Sequence, residues 1–453
     1  MAAAQGLTAA AVAGRALSYV LMAAALVALL RAMEVDRWLA IAPVGVFLTA
    51  QSLVAGEWMV GGAESKALAY PAVVAAVAAA AGRRSGWSGL MLGASLSMHA
   101  LVGVWAGVAL VVGVALAGAR EVRFRAHLAK GVARFAGGVV VTGAWGLWAV
   151  LRTLLDGGEG YSGWAIYVSF RVSHHVLPAD WRINRDVPWQ LWIGLAVVIA
   201  LVLLVRAAWR WRVVAGVVLA SSGIFAAGLG IDAARRTELL RFYWFRLADS
   251  WVPLATSLLA AGVLTWAWSR AAGSRGRLLL RAAAGLVILA MAGHLTSQVV
   301  DQRRRALAME REHTASAERA TQRWAATHLP DAAVVAADPG ADTWYADGDR
   351  AAFALYKASP QSARDVATWA ERLRLLSGED VTEGGVTRRD LVVGHGRLDG
   401  AALEQLCRAG ATHYVARRTK APWPAVLLHA ERGWGVFALT REDGSCATAG
   451  SAR

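Results

Sequence analysis

Three polar stretches carry residue types that could do chemistry at the edge of an apolar phase. The first, Gly56 to Lys66, holds Glu57, Glu64 and Lys66. A carboxylate beside an apolar wall has its proton affinity raised and can take the proton of a hydroxyl. Glu64 is the candidate base and Lys66 a candidate substrate ligand; the alternative is an interfacial Glu64–Lys66 pair that only marks a helix start. The second stretch, Arg152 to Pro188, is rich in aromatic and polar residues around Arg171, His174, His175, Asp180 and Trp181. Adjacent histidines point to different faces of a helix or strand, whereas zinc pairs on a helix sit four apart, so no metal or other cofactor is expected. Arg171 and the two histidines are instead donors suited to a phosphate, with Trp and Tyr at headgroup depth; the alternative is an aromatic belt on a structured loop. The third is Arg241-Phe-Tyr-Trp-Phe-Arg246, followed by Asp249. Two guanidinium groups amid aromatics suit a diphosphate or an anionic lipid head, or else they pair with Asp249, Asp180 or Glu238.

These stretches lie between segments that read as membrane spans. The 453 residues are 57% apolar and 17% charged, with 21 Trp and a mean hydropathy of +0.43; soluble domains hold about 25% charged residues, which argues against a cytosolic enzyme. Apolar runs alternate with short charged breaks up to Val299 and stop at Asp301, giving a membrane domain, 1–300, and a soluble domain, 301–453. The expected spans, about ten, are Ala16 to Leu30, Trp38 to Ala55, Ala67 to Ala81, Trp87 to Met98, Leu101 to Gly118, Phe135 to Leu151, Trp189 to Val205, Val213 to Gly230, Trp251 to Trp268 and Ala282 to Val299. Several fall short of the ~20 residues of a perpendicular helix, so tilted or re-entrant helices are expected.

The net charge of +15 is mostly topological. Arg83 and Arg84, the basic group from Arg120 to Arg134, Arg206 to Arg212, and Arg270 to Arg281 include one acid, Glu121, and are assigned to the cytoplasm. Nucleic acid is therefore not an expected partner. The Arg152–Pro188 and Ile231–Ser250 loops, the N-terminus and the tail then fall outside. Because Arg84 and Arg120 share a side, the run from Trp87 to Gly118 must cross twice and turn near His99, with Gly93, Ala94, Gly103 and Gly107 allowing close approach. His99 is either a functional polar residue in the outer leaflet or an interfacial turn residue. Met1 to Gly14 lacks a basic signal-peptide start, so the chain is expected either to use a reverse anchor or to begin part-way through a longer protein, the second being favoured.

In the tail, Asp301 to Arg323 reads as a charged helix. Strands are expected at Ala332 to Ala337, Leu391 to Val393, Thr412 to Ala416, Ala425 to His429 and Gly435 to Leu439, and helices at Ala363 to Ser377 and Gly400 to Ala409, a small α/β domain. Asp338, Asp342, Asp347 and Asp349 crowd one loop but lack the terminal Glu of a calcium loop. Cys407 and Cys446 imply neither a disulfide framework nor a zinc module.

Several segments together resemble a group of bacterial multispanning membrane proteins related in layout to GT-C glycosyltransferases: Gly62-Ala-Glu-Ser-Lys-Ala-Leu-Ala-Tyr70, Leu92-Gly-Ala-Ser-Leu-Ser-Met-His99 with Gly103 and Trp105, Arg171-Val-Ser-His-His-Val-Leu-Pro178, Arg241 to Pro253, Arg350 to Lys357 and Trp369 to Arg372. The resemblance implies a helical multi-pass fold in the cytoplasmic membrane, loops that shape an outer cavity, and an extracytoplasmic C-terminal domain. It also implies sugar transfer from a polyprenyl-phosphate donor by a carboxylate in the first external loop. In the layout expected here Ala16 to Leu30 reads as the second span of that pattern, so either the chain starts downstream of the first span and loop or it has lost transferase chemistry; on the transferase reading Glu64 is the expected base. The implied phosphate ligands are Arg171, Arg241 and Arg246, with His174 or His175 orienting the acceptor. Lys66, His99, Asp180 and Asp249 complete the expected substrate-binding set. Expected partners are membrane lipids and the polyprenyl-phosphate sugar. The alternative is a non-enzymatic envelope transporter or scaffold whose C-terminal domain binds a partner; spans almost free of ionisable groups, His99 and His294 apart, disfavour a proton-coupled pump.

Overall fold

The computed structural model describes residues 2–35, 57–119, 121–155, 161–181, 189–270, 316–360, 362–382, 385–418, 420, 425–441 and 443–447, with scattered helical positions between 40 and 48 and between 282 and 308. It is mostly helical, and it divides into two compact units: residues 9–157 with 174–299, and residues 158–173 with 300–453 and the first eight residues. The long polar loop is thus shared, its first half grouping with the tail.

α1 runs Ala2–Met33, its part from Ala9 onward in the helical unit, which continues with α2 Ser65–Ala81, α3 Ser85–Met98, α4 Ala100–Gly118 and α5 Val122–Leu155. After the loop come α6, Tyr161–Ile166, in the tail unit, and α7, Ser173–Val176, then α8, Trp189–Arg206, α9, Trp209–Ala233, and α10, Arg246–Arg270. Eight of the expected spans lie within α1–α5 and α8–α10. The other two, Trp38 to Ala55 and Ala282 to Val299, fall largely outside the described residues, as does His294. Among the described residues four helices are long and apolar enough to cross a membrane: Ala9–Met33, Ala100–Gly118, Leu128–Arg152 and Trp209–Ala233. Large apolar side chains such as Val141, Trp145, Leu191 and Val198 stand exposed on α5 and α8, a surface that water does not favour.

Small residues set the helix spacing. A Cβ at Gly93 would lie 2.6 Å from the Val139 carbonyl oxygen of α5, so α3 and α5 touch backbone to backbone there. Thr142 and Ser97 add cross-helix bonds, Thr142 Oγ1 to Leu90 O at 2.6 Å and Ser97 Oγ to Thr142 O at 2.7 Å. A Cβ at Gly113 of α4 would meet the Val217 nitrogen of α9 at 2.6 Å. Such small-residue contacts let helix backbones approach closely. Between α3 and α4 the chain turns at His99, whose φ of −152° and ψ of 102° break the helix. The ends of these helices sort the charges. At one end Glu121 pairs with Arg83 and Arg212, and Arg83 lies over the Trp209 ring. The start of α2, the His99 turn and the start of α10 form the other end.

The tail unit carries α11, Ala317–His328; β1, Val334–Ala336; α12, Trp344–Asp347; β2, Ala351–Ala352; α13, Ala363–Ser377; α14, Arg388–His395; α15, Gly400–Arg408; and β3–β5, His413–Ala416, Val426–Glu431 and Trp434–Ala438. The sheet order is β2-β1-β3-β5-β4, parallel across β2-β1-β3 and antiparallel beyond. Val335, Trp344, Leu355, Val415 and Val436 form its core. Two expectations change. Leu391 to Val393 is helical: Thr387 and Asp390 make a reciprocal capping box that starts α14, and three apolar residues are too few to fix a strand period. Cys407 and Cys446 form a disulfide, joining α15 to the bridge that pairs Thr440 with Cys446. Within this unit Phe170 packs edge-on against Tyr356 and near Trp369, holding residues 161–173 to the domain.

Two outcomes follow for stability. Gly93→Ala should cost about 2 kcal/mol by forcing α3 off α5, whereas Gly137→Ala, with open space at its Cβ, should gain up to about 1 kcal/mol from helix propensity; denaturation midpoints in detergent measure both. In the tail, burial and then the neighbouring Asp338 carboxylate push Glu318 up to about 6. The folded state therefore holds this proton more tightly than the unfolded chain, and its contribution is lost as pH rises from 4.5 through 6. Glu318→Gln should raise tail stability by on the order of 1 kcal/mol at pH 7.5, after discounting for partial exposure, and by almost nothing at pH 4. Equal Tm shifts at the two pH values would contradict this.

Candidate functional site

The helical unit gathers ionisable groups where α2, the His99 turn and α10 begin. Glu57, just ahead of α2, is 2% exposed. Its Oε1 lies 3.0 Å from Lys66 Nζ and its Oε2 3.1 Å from Arg246 Nε. Its backbone N–H donates to the carboxylate of Asp249, which is fully buried in the first turn of α10, where the helix dipole favours an anion. Arg246 Nη1 donates to His99 Nε2 at 3.0 Å. An arginine can only donate, so this ring nitrogen keeps its lone pair and the imidazole is neutral.

A second ring of contacts fixes these groups. Arg246 lies 4.1 Å over the Tyr243 ring, and Tyr243 takes a left-handed conformation, φ 53° and ψ 52°, at the end of the 3₁₀ turn Thr237–Phe242. A non-glycine residue in that region is uncommon and strained, and here it aims the ring at the guanidinium. Trp105 Nε1 donates to Phe242 O at 2.6 Å, and Trp244 Nε1 to Leu239 O at 2.9 Å, tying the turn down. Ser250 Oγ sits 2.9 Å from the buried Tyr70 hydroxyl and 2.8 Å from Arg246 O. Lys66 Nζ stands 4.2 Å over the Trp58 ring.

The expected site residues separate on this geometry. Lys66, His99, Arg246 and Asp249 come together, and His175 approaches the Tyr243 ring at 6.4 Å and adds to the field on Glu57. Glu64 instead precedes the first turn of α2 with its side chain 60% exposed, reaching Lys66 at 3.3 Å. The His174 ring lies 4.1 Å from that of His175, tilted by 41°, but His174 is exposed, as is Asp180. Arg241 lies over Phe242. Arg171 belongs to the tail unit, where its guanidinium lies 5.2 Å over Tyr356. The buried carboxylate is Glu57, and its proton affinity differs from the sequence expectation. Burial works to raise it, but Arg246 and Lys66 outweigh burial and hold the carboxyl below its ordinary range, so it is ionised at neutral pH. Glu57, Tyr70, Tyr243 and Ser250 were not among the expected site residues; Glu57 was visible in the sequence as a second acid in the same loop, but its burial depends on partners nearly two hundred residues away.

Among the described residues no three His, Cys, Asp or Glu gather as metal ligands. What the arrangement can do is hold an anionic carboxylate between two cations in a water-poor place. Comparison of the chain with protein families, curated proteins and solved structures finds no match in any of the three.

Removing one partner of a buried ion pair strands the others. Glu57→Gln should therefore destabilise the helical unit by about 3–5 kcal/mol, while Glu64→Gln should stay within about 0.5 kcal/mol. Unfolding in detergent distinguishes them, and equal effects would remove Glu57 from the centre of the site.

Proposed function

We propose that the chain is a GT-C-like membrane glycosyltransferase that uses a polyprenyl-phosphate-linked sugar at the outer face of the cytoplasmic membrane. In this reading about ten spans cross the membrane, the Glu121 end faces the cytoplasm, and the Glu57 end, the N-terminus and the tail unit lie outside. The Cys407–Cys446 disulfide supports the placement of the tail, since such bonds persist in oxidising compartments. Membrane lipids surround the helical unit.

The observation that carries the reading is Glu57, buried and held ionised by two cations. Buried charge in a membrane unit is costly and marks a functional site by default. A donor phosphate arriving at this end competes for Lys66 and Arg246. As they turn to the phosphate, Glu57 loses its counter-ions while its burial remains, so its proton affinity climbs. It can then accept the proton of an acceptor hydroxyl as the hydroxyl oxygen bonds to the anomeric carbon and the bond to the lipid phosphate breaks. The base is thus switched on by the donor. Lys66, which already reaches Glu64 as well as Glu57, is the cation that can turn with least rearrangement. Arg241, half-buried in the Thr237–Phe242 turn, and His175 are further donors on this side of the unit.

A second reading, a non-enzymatic transporter or scaffold whose tail binds a partner, is favoured by the internal charge balance of the cluster, in which Glu57 and Asp249 match Lys66 and Arg246. Proteoliposomes supplied with polyprenyl-phosphate sugars separate the two. Transfer should fall about 100-fold or more in Glu57→Gln and change less than about twofold in Glu64→Gln, and Lys66→Met should raise KM for the donor. Transfer by Glu57→Gln at the parent rate would reject Glu57 as base. A parent that binds no polyprenyl phosphate would favour the scaffold.

A further inference from the structure

The tail unit has a cavity of about 140 Å³ outside the carboxyl ends of the adjacent parallel strands β1 and β2, the place where open α/β sheets bind ligands. Buried Ala341 and Leu355 form its floor with Pro339, and Asp342, Lys357 and Tyr345 stand at its mouth. The two loops are fixed to each other and to themselves. Tyr356 N–H donates to Pro339 O at 2.9 Å, and Asp338 Oδ1 accepts Gly340 N–H at 2.7 Å. Tyr345 is 58% exposed while its neighbour Trp344 is fully buried in the core, so the helix that anchors one aromatic presents the other to the cleft.

The charges select the ligand class. Asp342 is held by Lys357 at 2.8 Å and by Arg388 at 2.9 Å, so neither cation is spare for an anion. Lys357 and Arg388 equally oppose a cation. A purely apolar guest would take the Lys357–Asp342 pair out of water with nothing in return. The volume is well below the roughly 300–1,000 Å³ of pockets for drug-sized ligands, which leaves room for a single small ring. We propose that this cleft is a saccharide-binding site: one pyranose or furanose ring lays its apolar face on Tyr345, and its neighbouring hydroxyls donate to Asp342 and accept from Lys357 without breaking the ion pair. This site is independent of transferase chemistry at Glu57.

The test uses the full chain in lipid nanodiscs, with no sugar donor present, and a panel of neutral hexose and pentose oligosaccharides followed by saturation-transfer NMR. At least one should bind saturably with Kd of about 1 mM, the weak affinity expected of one shallow ring contact. Tyr345→Ala should weaken it about tenfold, Tyr345→Phe should retain it, and Lys357→Ala should weaken it comparably. Because Tyr345 is exposed, these variants keep the fold, which the near-ultraviolet circular dichroism checks. Absence of saturable binding by every saccharide would overturn the proposal, as would unchanged affinity in Tyr345→Ala, or displacement of the saccharide by a peptide or inorganic phosphate at lower concentration.

Discussion

A carboxylate that is buried yet ionised must be surrounded, and Glu57 makes that demand of the helical unit. Its two oxygens need Lys66 from α2 and Arg246 from α10, and its backbone N–H needs Asp249. Meeting those needs brings the starts of two helices far apart in sequence to one place, and Arg246 in turn draws in the His99 turn between α3 and α4. The close crossings at Gly93 and Gly113 pack α3 on α5 and α4 on α9, and so hold the two helices that flank the His99 turn. The left-handed Tyr243 and the indoles that tie its turn serve the same end.

The cluster is held by opposing influences. Burial and the two cations act on Glu57 in opposite directions, and burial is the larger single influence while the cations together prevail. A balance of that kind is stable when closed and responds strongly when one cation leaves. Glu64, by contrast, has a side chain that is 60% exposed. At the opposite helix ends one acid, Glu121, meets two bases, Arg83 and Arg212, an excess of positive charge that the balanced Glu57 cluster lacks.

Much of the architecture was legible in the sequence because apolar runs and basic breaks are local signals. The hairpin turning at His99 follows from charge placement alone; Gly103 and Gly107 do lie against Leu96 and Leu92 across it, whereas Gly93, expected at the same contact, packs on α5 instead. The site was legible only in part. Glu57 and Glu64 stand in one short loop with no local feature to rank them; Asp249 and Arg246 decide the matter through space. Arg171 and His174 are neighbours of His175 in sequence, yet one groups with the tail unit and the other faces solvent. In the tail, Leu391 to Val393 has the composition of a strand, and the capping residues Thr387 and Asp390 override it. The pairing of Cys407 with Cys446 depends on α15 and the last bridge meeting, which spacing alone does not fix.

The central claim is that Glu57 is ionised at rest and gains proton affinity when a lipid phosphate draws off its cations. Infrared difference spectroscopy of the protein in nanodiscs, parent minus Glu57→Gln, measures this directly as polyprenyl phosphate is added at pH 7. The account predicts a carboxylate band for Glu57 without ligand and its loss or shift on titration with the lipid phosphate. A protonated carboxyl band before any ligand is added, or a carboxylate band unmoved at saturating lipid phosphate, would contradict it.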